Sequence, residues 1–148
     1  MSNANVPPFP LVRKGDEGHP VKTLQDLLNQ HGAGLAVDGI FGPKTDAAVR
    51  KFQTDHHLTV DGIVGPQTWS AVIVTVRRGS QGDAVKGVQE EAFFRQGKEP
   101  PPVLAIDGIF GPKTEAWVRG FQEGAEITVD GIVGPVTWRA LVSGLLAG

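Results

Sequence analysis

The chain contains no cysteine, so no disulfide closes any part of it. That absence leaves the redox compartment open, because many exported proteins also lack cysteine. Charge of one sign is missing too. Fourteen Lys and Arg face sixteen Asp and Glu, for a net charge of -2. No basic stripe stands out, and this argues against nucleic acid as a partner. No apolar run approaches the length of a membrane span. The first residues lack a basic region followed by an apolar one, which reads as no signal peptide. Ser2-Asn3-Ala4 looks like an expression remnant, in which case a native leader has been lost. Asn5 to Pro10 reads as a Pro-rich arm, extended and weakly ordered.

Signatures of catalysis are also missing. The four histidines, His19, His31, His56 and His57, form no HExxH or comparable pair. His56 and His57 are adjacent and point to different sides of a helix. Glycosidase chemistry needs two carboxylates at controlled separation, and among sixteen acids a loose pair such as Glu90-Glu91 arises by chance. No G-x-S-x-G is present. The expectation is no catalytic residue, no metal ligand and no cofactor.

What is abundant is one phrase. It reads DGIFGPKT at Asp38–Thr45, DGIVGPQT at Asp61–Thr68, DGIFGPKT at Asp107–Thr114 and DGIVGPVT at Asp130–Thr137. The spacing is 23 residues inside each half and 69 between halves. The chain is therefore a duplicated module in which each copy carries a smaller echo of itself. Such repetition suits binding better than a single catalytic centre.

Asp-Gly is a turn signal. The carboxylate accepts hydrogen bonds from nearby backbone amides, and Gly tolerates positive φ. The apolar pair that follows, Ile40-Phe41 or Ile63-Val64, is expected to drop into the core. The next Gly permits a change of direction. Pro43 or Pro66 then fixes φ at the first helical residue, where no amide partner is needed. Thr45 or Thr68 can hydrogen-bond locally in the first turn. A calcium loop would need closely spaced acids, and each phrase offers one, so turn capping is the plainer account.

The first copy opens with a helix after His19-Pro20, whose apolar face is Val21, Leu24, Leu27, Leu28 and His31. Gly32 and Gly34 stop it. A second helix starts at Pro43, with an apolar line of Ala47, Ala48, Val49 and Phe52 extended by His56. A third, shorter one starts at Pro66 and carries Trp69, Val72 and Ile73. The second copy repeats the plan. Asp83 is expected to cap its first helix, which carries Val85, Val88, Ala92, Phe93 and Phe94. Gly87 stands where the first copy has Thr23 and should cost about 1 kcal/mol of helix propensity. A stiff insertion containing Pro100-Pro101-Pro102 precedes the next turn. Trp117, Val118 and Phe121 line the next helix, and Trp138, Leu141 and Val142 the last. The reading is an all-α fold of two tandem three-helix modules joined by a short linker. Residues 1–10 are the remnant and arm, 11–75 the first module and 76–148 the second. The link from Val76 to Gly82 is too short for much independent motion, and Val72-Ile73-Val74 is placed to pack against the second copy.

These motifs together resemble the peptidoglycan-binding domain 1 family, twice over. The pattern is V-x-x-LQ, DG-x-FG-x-x-T, AV-x-x-FQ and DG-x-x-G-x-x-TW. The first copy supplies Val21 to Gln25, Asp38 to Thr45, Ala48 to Gln53 and Asp61 to Trp69. The second supplies Val85 to Gln89, Asp107 to Thr114, Trp117 to Gln122 and Asp130 to Trp138. The resemblance implies a compact three-helix domain that holds cell-wall hydrolases against murein, and a location outside the cell, in the periplasm or on the wall. The departures are Trp117 for Ala48, Val88 for Leu24 and the proline insertion, which point to a second copy of different groove shape or without binding.

A murein ligand presents amino sugars and acidic stem peptides. It calls for amides, cations and an apolar wall. The residues placed to provide them are Lys44, Arg50, Gln53 and Trp69 in the first copy. Lys113, Arg119, Gln122 and Trp138 take the same places in the second. Arg50 and Gln53 stand three apart on one helix edge. Lys44 and Lys113 sit in the first turn of that helix, where amides can receive a carboxylate. Each of the eight also has a structural role open to it: solvated face for the cations, turn satisfaction for the glutamines, core filling for the tryptophans. The partner implied is peptidoglycan or muropeptides, with a hydrolase or another envelope protein alongside, and linked weak sites would add avidity. Two alternatives stand. One is a protein-interaction module with the sugar site lost, docking through an exposed tail Leu141 to Leu146, Phe93-Phe94 and the proline insertion. The other is the targeting part of a cell-wall hydrolase.

Overall fold

The computed structural model describes residues 6–96 and 104–146. Six helices follow in chain order: α1 His19–Gln30, α2 Pro43–Asp55, α3 Pro66–Val72, α4 Asp83–Gln96, α5 Pro112–Gly124 and α6 Pro135–Val142. Four of them, α2, α3, α5 and α6, begin at the proline of a repeated phrase, directly after an extended glycine. The missing proline N–H costs nothing at that position, and its fixed φ already suits a helix. The chain is all-α. Its only pairings of extended backbone among the described residues are isolated antiparallel bridges, such as Val12 with Val64 and Val76 with Val133.

These bridges tie each copy's lead-in segment to its own last turn. The tryptophans complete the closure. Both are fully buried, and the Trp69 indole N–H donates to the Pro10 carbonyl at 2.8 Å. The Trp138 indole donates to the Val74 carbonyl at 2.7 Å. Each large ring thus fills a small core while its one polar atom is satisfied. The N-terminal arm departs from expectation for this reason. Val6 is buried, and Phe9 stacks on Trp69 with ring centroids 5.8 Å apart. Apolar contact with an indole orders the arm. Residues 1–5 and the Pro100-Pro101-Pro102 insertion lie outside the described residues.

The copies do not sit apart. One continuous apolar cluster runs through both, and α1 packs along α4 in antiparallel fashion. At one end His19 stacks on Phe94, centroids 4.2 Å apart. At the other, the Gln30 side-chain oxygen accepts the Ala84 backbone N–H at 3.0 Å. The cap of α4 therefore comes from the other copy, and Asp83, expected as the cap, lies inside the first turn instead. Gln30 satisfies one of the amides that every helix start leaves open.

Glu91 occupies this seam and is fully buried. It accepts from the Thr23 hydroxyl at 2.6 Å and the Arg95 guanidinium at 2.6 Å, and bonds His19 Nδ1 at 2.9 Å. Arg95 in turn donates to the carbonyls of Leu141 and Leu145 at 2.9 Å each. A buried carboxylate is tolerable only with this density of partners. Asp26, buried nearby, is the opposite case: its Oδ2 has no hydrogen-bond partner. Burial first, then the charges of Glu90 and Asp83, push its carboxyl up to about 8. Gly87 explains itself here. A Cβ there would lie 3.4 Å from the Trp138 ring and 3.5 Å from the Asp26 Cβ. The position admits a methyl group and little more, so the threonine of the first copy has no room.

Two further expectations are corrected. Within the phrase, only the second apolar residue enters the core. Phe41, Phe110, Val64 and Val133 are buried, whereas Ile40 and Ile109 are more than half exposed. The expected exposed tail is mostly interior, since Leu141 and Val142 are buried and only Leu146 is exposed.

Candidate functional site

Each phrase is organised by one buried glutamine. Gln25 Oε1 accepts the backbone N–H groups of Asp38 and Gly39 at 3.0 and 2.9 Å. Its Nε2 faces three acceptors: Asp38 Oδ1 at 2.9 Å, the Ile40 carbonyl at 3.1 Å and Thr45 Oγ1 at 3.1 Å. Gln53 makes the same set with Asp61, Gly62, Ile63 and Thr68. Gln89 does so with Asp107, Gly108, Ile109 and Thr114. Gln122 does so with Asp130, Gly131, Ile132 and Thr137. The second residue of each phrase has φ of 72 to 74°, which glycine adopts without strain. The aspartates also accept from the N–H two residues on, for example Ile40 to Asp38 at 3.0 Å. That backbone bond, with the glutamine amide, holds the carboxyls of Asp38, Asp61 and Asp107 below the usual carboxylate range.

This geometry divides the eight residues named from sequence. Gln53 and Gln122 are fully buried and their amides are committed to the turns, so both are corrected from ligand contact to scaffold. Trp69 and Trp138 are likewise fully buried and are corrected in the same way. Lys44, Arg50, Lys113 and Arg119 remain exposed. Arg50 turns toward its own phrase, donating to Asp46 at 3.1 Å and to the Asp61 carbonyl at 3.3 Å. Arg119 lies over Gly131 in the equivalent place. Lys44 is on a different stripe of α2, and Lys113 borders a hollow with Phe93, Leu104 and Ile109.

The stripe carrying Lys44 forms one side of a cleft of about 540 Å³ between the end of α1 and α2. Leu28, Ala47, Ala48 and Phe52 supply its apolar floor, while Lys51 and Asp55 stand at its edge, 2.7 Å apart. His31 and His56, which the sequence placed at the ends of the apolar faces of the first two helices, close one end. His56 stacks on Phe52 at 3.9 Å and donates Nδ1–H to the Phe52 carbonyl. His31 meets Phe52 edge-on and donates Nε2–H to the Val72 carbonyl at 3.0 Å. The sequence trace of this cleft is faint: two histidines, each directly after the last residue of a helix.

The second copy fills the same place. Trp117, at the position of Ala48, stacks on Phe121 at 5.4 Å. Arg95, at the position of His31, lies over the same ring, 5.0 Å from its centroid. Lys51 and Asp55 become Gly120 and Gly124. Among the described residues no group of three His, Asp or Glu is placed to hold a metal ion.

A search of protein families matches residues 17–72 and 93–141 to the family described as "Putative peptidoglycan binding domain". Among curated proteins, the chain is similar to zinc D-Ala-D-Ala carboxypeptidase of Streptomyces albus G. The two are 36% identical over 122 residues, covering 82% of this chain and 44% of that protein. It is also similar to N-acetylmuramoyl-L-alanine amidase CwlL of Bacillus licheniformis. Identity there is 29% over 135 residues, 87% of this chain and 38% of that protein. The solved N-terminal domain of SleB is 36% identical over 43% of this chain and 88% of that one, with a TM-score of 0.42. The chain thus spans less than half the length of either curated relative. With the family matched in both halves and over most of its residues, the chain belongs to the peptidoglycan-binding domain family.

Proposed function

We propose that the chain is a passive anchor for bacterial peptidoglycan that holds a larger envelope protein on the wall, outside the cell membrane. The observation that carries this is the family match in both copies, on a fold whose four glutamine-centred turns are intact. The two curated relatives are by name a carboxypeptidase and an amidase, and less than half of each aligns here. That share supports the targeting part of such an enzyme rather than its chemistry. Of the four exposed cations named from sequence, Lys44 is the one in the first copy left free for the ligand's carboxylates, Arg50 being paired with Asp46. The α1–α4 seam presents both copies as one body. Any avidity then comes from fixed geometry instead of a flexible tether.

The test is sedimentation with insoluble peptidoglycan, with release of soluble fragments followed in parallel. The expected result is a chain that pellets with the wall and liberates nothing. A chain left in the supernatant would sink the proposal. A second reading, docking of another protein, retains the half-exposed Phe93 and Phe94 beside Ile40 but loses the buried Leu141 and Val142.

A further inference from the structure

We infer that the cleft between α1 and α2 of the first copy receives a carboxylate-bearing peptide, and that the second copy has no such receptor because Trp117 occupies it. The inference rests on the cell-wall reading and narrows it to the acidic stem peptide in preference to the glycan.

Charge is the first argument. Lys44 is exposed, lies at the cleft, and makes no ion pair among the described residues. Each other Lys or Arg on α1 and α2 already has a partner: Arg50 has Asp46, Lys51 has Asp55 and Lys22 has Glu90. A free ammonium beside a concave surface favours an anionic end group. Shape is the second. A volume of about 540 Å³ lies in the range of small-molecule and short-peptide sites. The floor of Ala47 and Ala48 leaves space for small side chains along an extended peptide, and Phe52 supplies an apolar wall.

The third argument is the internal control. The copies share the turn network bond for bond, so α2 and α5 start in the same way. Yet one has Ala48, Lys51 and Asp55 where the other has Trp117, Gly120 and Gly124. The Trp117 ring takes the space above Phe121, and both edge charges are gone. Leu146 also approaches Gly124, where an added Cβ would lie 3.0 Å from its methyl group.

The test transplants the plug. Ala48→Trp should stack on Phe52 as Trp117 does on Phe121, leaving the fold intact. Binding of a soluble muropeptide with an acidic stem peptide is read by titration calorimetry, and folding by thermal melting. The expected result is loss of at least about tenfold in affinity for Ala48→Trp and no loss for Trp117→Ala. Lys44→Glu, an exposed change that leaves folding untouched, should weaken binding by about three- to tenfold. A neutral chitooligosaccharide should not displace the muropeptide. Undiminished binding by both Ala48→Trp and Lys44→Glu overturns the cleft assignment, and displacement by the chitooligosaccharide overturns the peptide assignment. Sedimentation of the same variants with whole peptidoglycan separates these failures from failure of the anchoring role. A wild-type chain that does not pellet overturns both.

Discussion

On α2 of the first copy the outward stripe reads Lys44, Ala48, Lys51 and Asp55. On α5 of the second the same places hold Lys113, Trp117, Gly120 and Gly124. Behind those stripes the two copies are nearly indistinguishable, with a buried glutamine drawing five bonds from each turn. The contrast shows where the fold tolerates change. A turn fixed by a desolvated amide hub is over-determined, since any lost partner strands a buried polar group. An outward helix face is fixed by nothing except the stripe behind it, so it can be a charged cleft in one copy and an aromatic plug in the other.

The comparison breaks hardest at the seam. Glu91→Ala removes a residue with no acidic counterpart in the first copy, where Leu27 stands, and leaves Thr23 without its acceptor and Arg95 without its carboxylate. Loss of about 3–5 kcal/mol in urea unfolding is expected for breaking a buried pair from one side. A cost under about 1 kcal/mol, the range of an exposed ion pair, would show the seam to be wet.

Next are the hubs. Gln53→Leu and Gln122→Leu should each cost about 2–4 kcal/mol, because each leaves buried turn amides unpaired. The sharper expectation is equality. Denaturation midpoints that differ widely between the two would mean the turns are not energetic equivalents.

Asp26 sets a smaller, pH-dependent effect. Its folded value of about 8 lies above the ordinary 3.8. Across that window the folded chain keeps a proton that the unfolded chain has released, so stability falls as pH rises from near 4 to near 8 and levels off above. The depressed carboxyls of Asp38, Asp61 and Asp107 act in the opposite sense, their contribution being lost as pH drops through their lowered values. Asp26→Asn should flatten the upper window and gain on the order of 1–3 kcal/mol at pH 8. Parallel pH profiles for wild type and variant would refute the assignment. The smallest effect is at Gly87. Gly87→Ala should stabilise by about 0.5–1 kcal/mol through helix propensity, since its methyl group fits, while Gly87→Thr should destabilise. Melting temperatures in the reverse order would show that the glycine is needed for close approach.

Much of this was legible in the residues. The four phrases located the four glutamine-centred turns, and the prolines located four helix starts to the residue. Helical spacing picked out Val21, Leu24, Leu27 and Leu28 as one buried face. The seam was hidden because its residues are polar. Nothing in the pattern of Thr23, Asp26 and Gln30 on α1, or Glu90 and Glu91 on α4, marks part of them as interior until the two helices pair. The hubs were half visible. A glutamine precedes all four phrases, at Gln25, Gln53, Gln89 and Gln122, and that recurrence was the available signal. For Gln53 the sequence left turn satisfaction and ligand contact both open, because its partners lie eight to fifteen positions downstream. The cleft was obscured for a different reason. The two histidines that close one end come from separate helices, and they converge only in the fold.

The antiparallel pairing of α1 with α4 resembles the contact of a twofold dimer held within one polypeptide. In a true homodimer each side must match itself, so a carboxylate near the axis would meet its own double. Here one side offers Glu91 and the other His19 and Thr23. Joining the halves covalently released that contact from self-complementarity, and opposite demands could then be written on the two sides of a single hinge-less join.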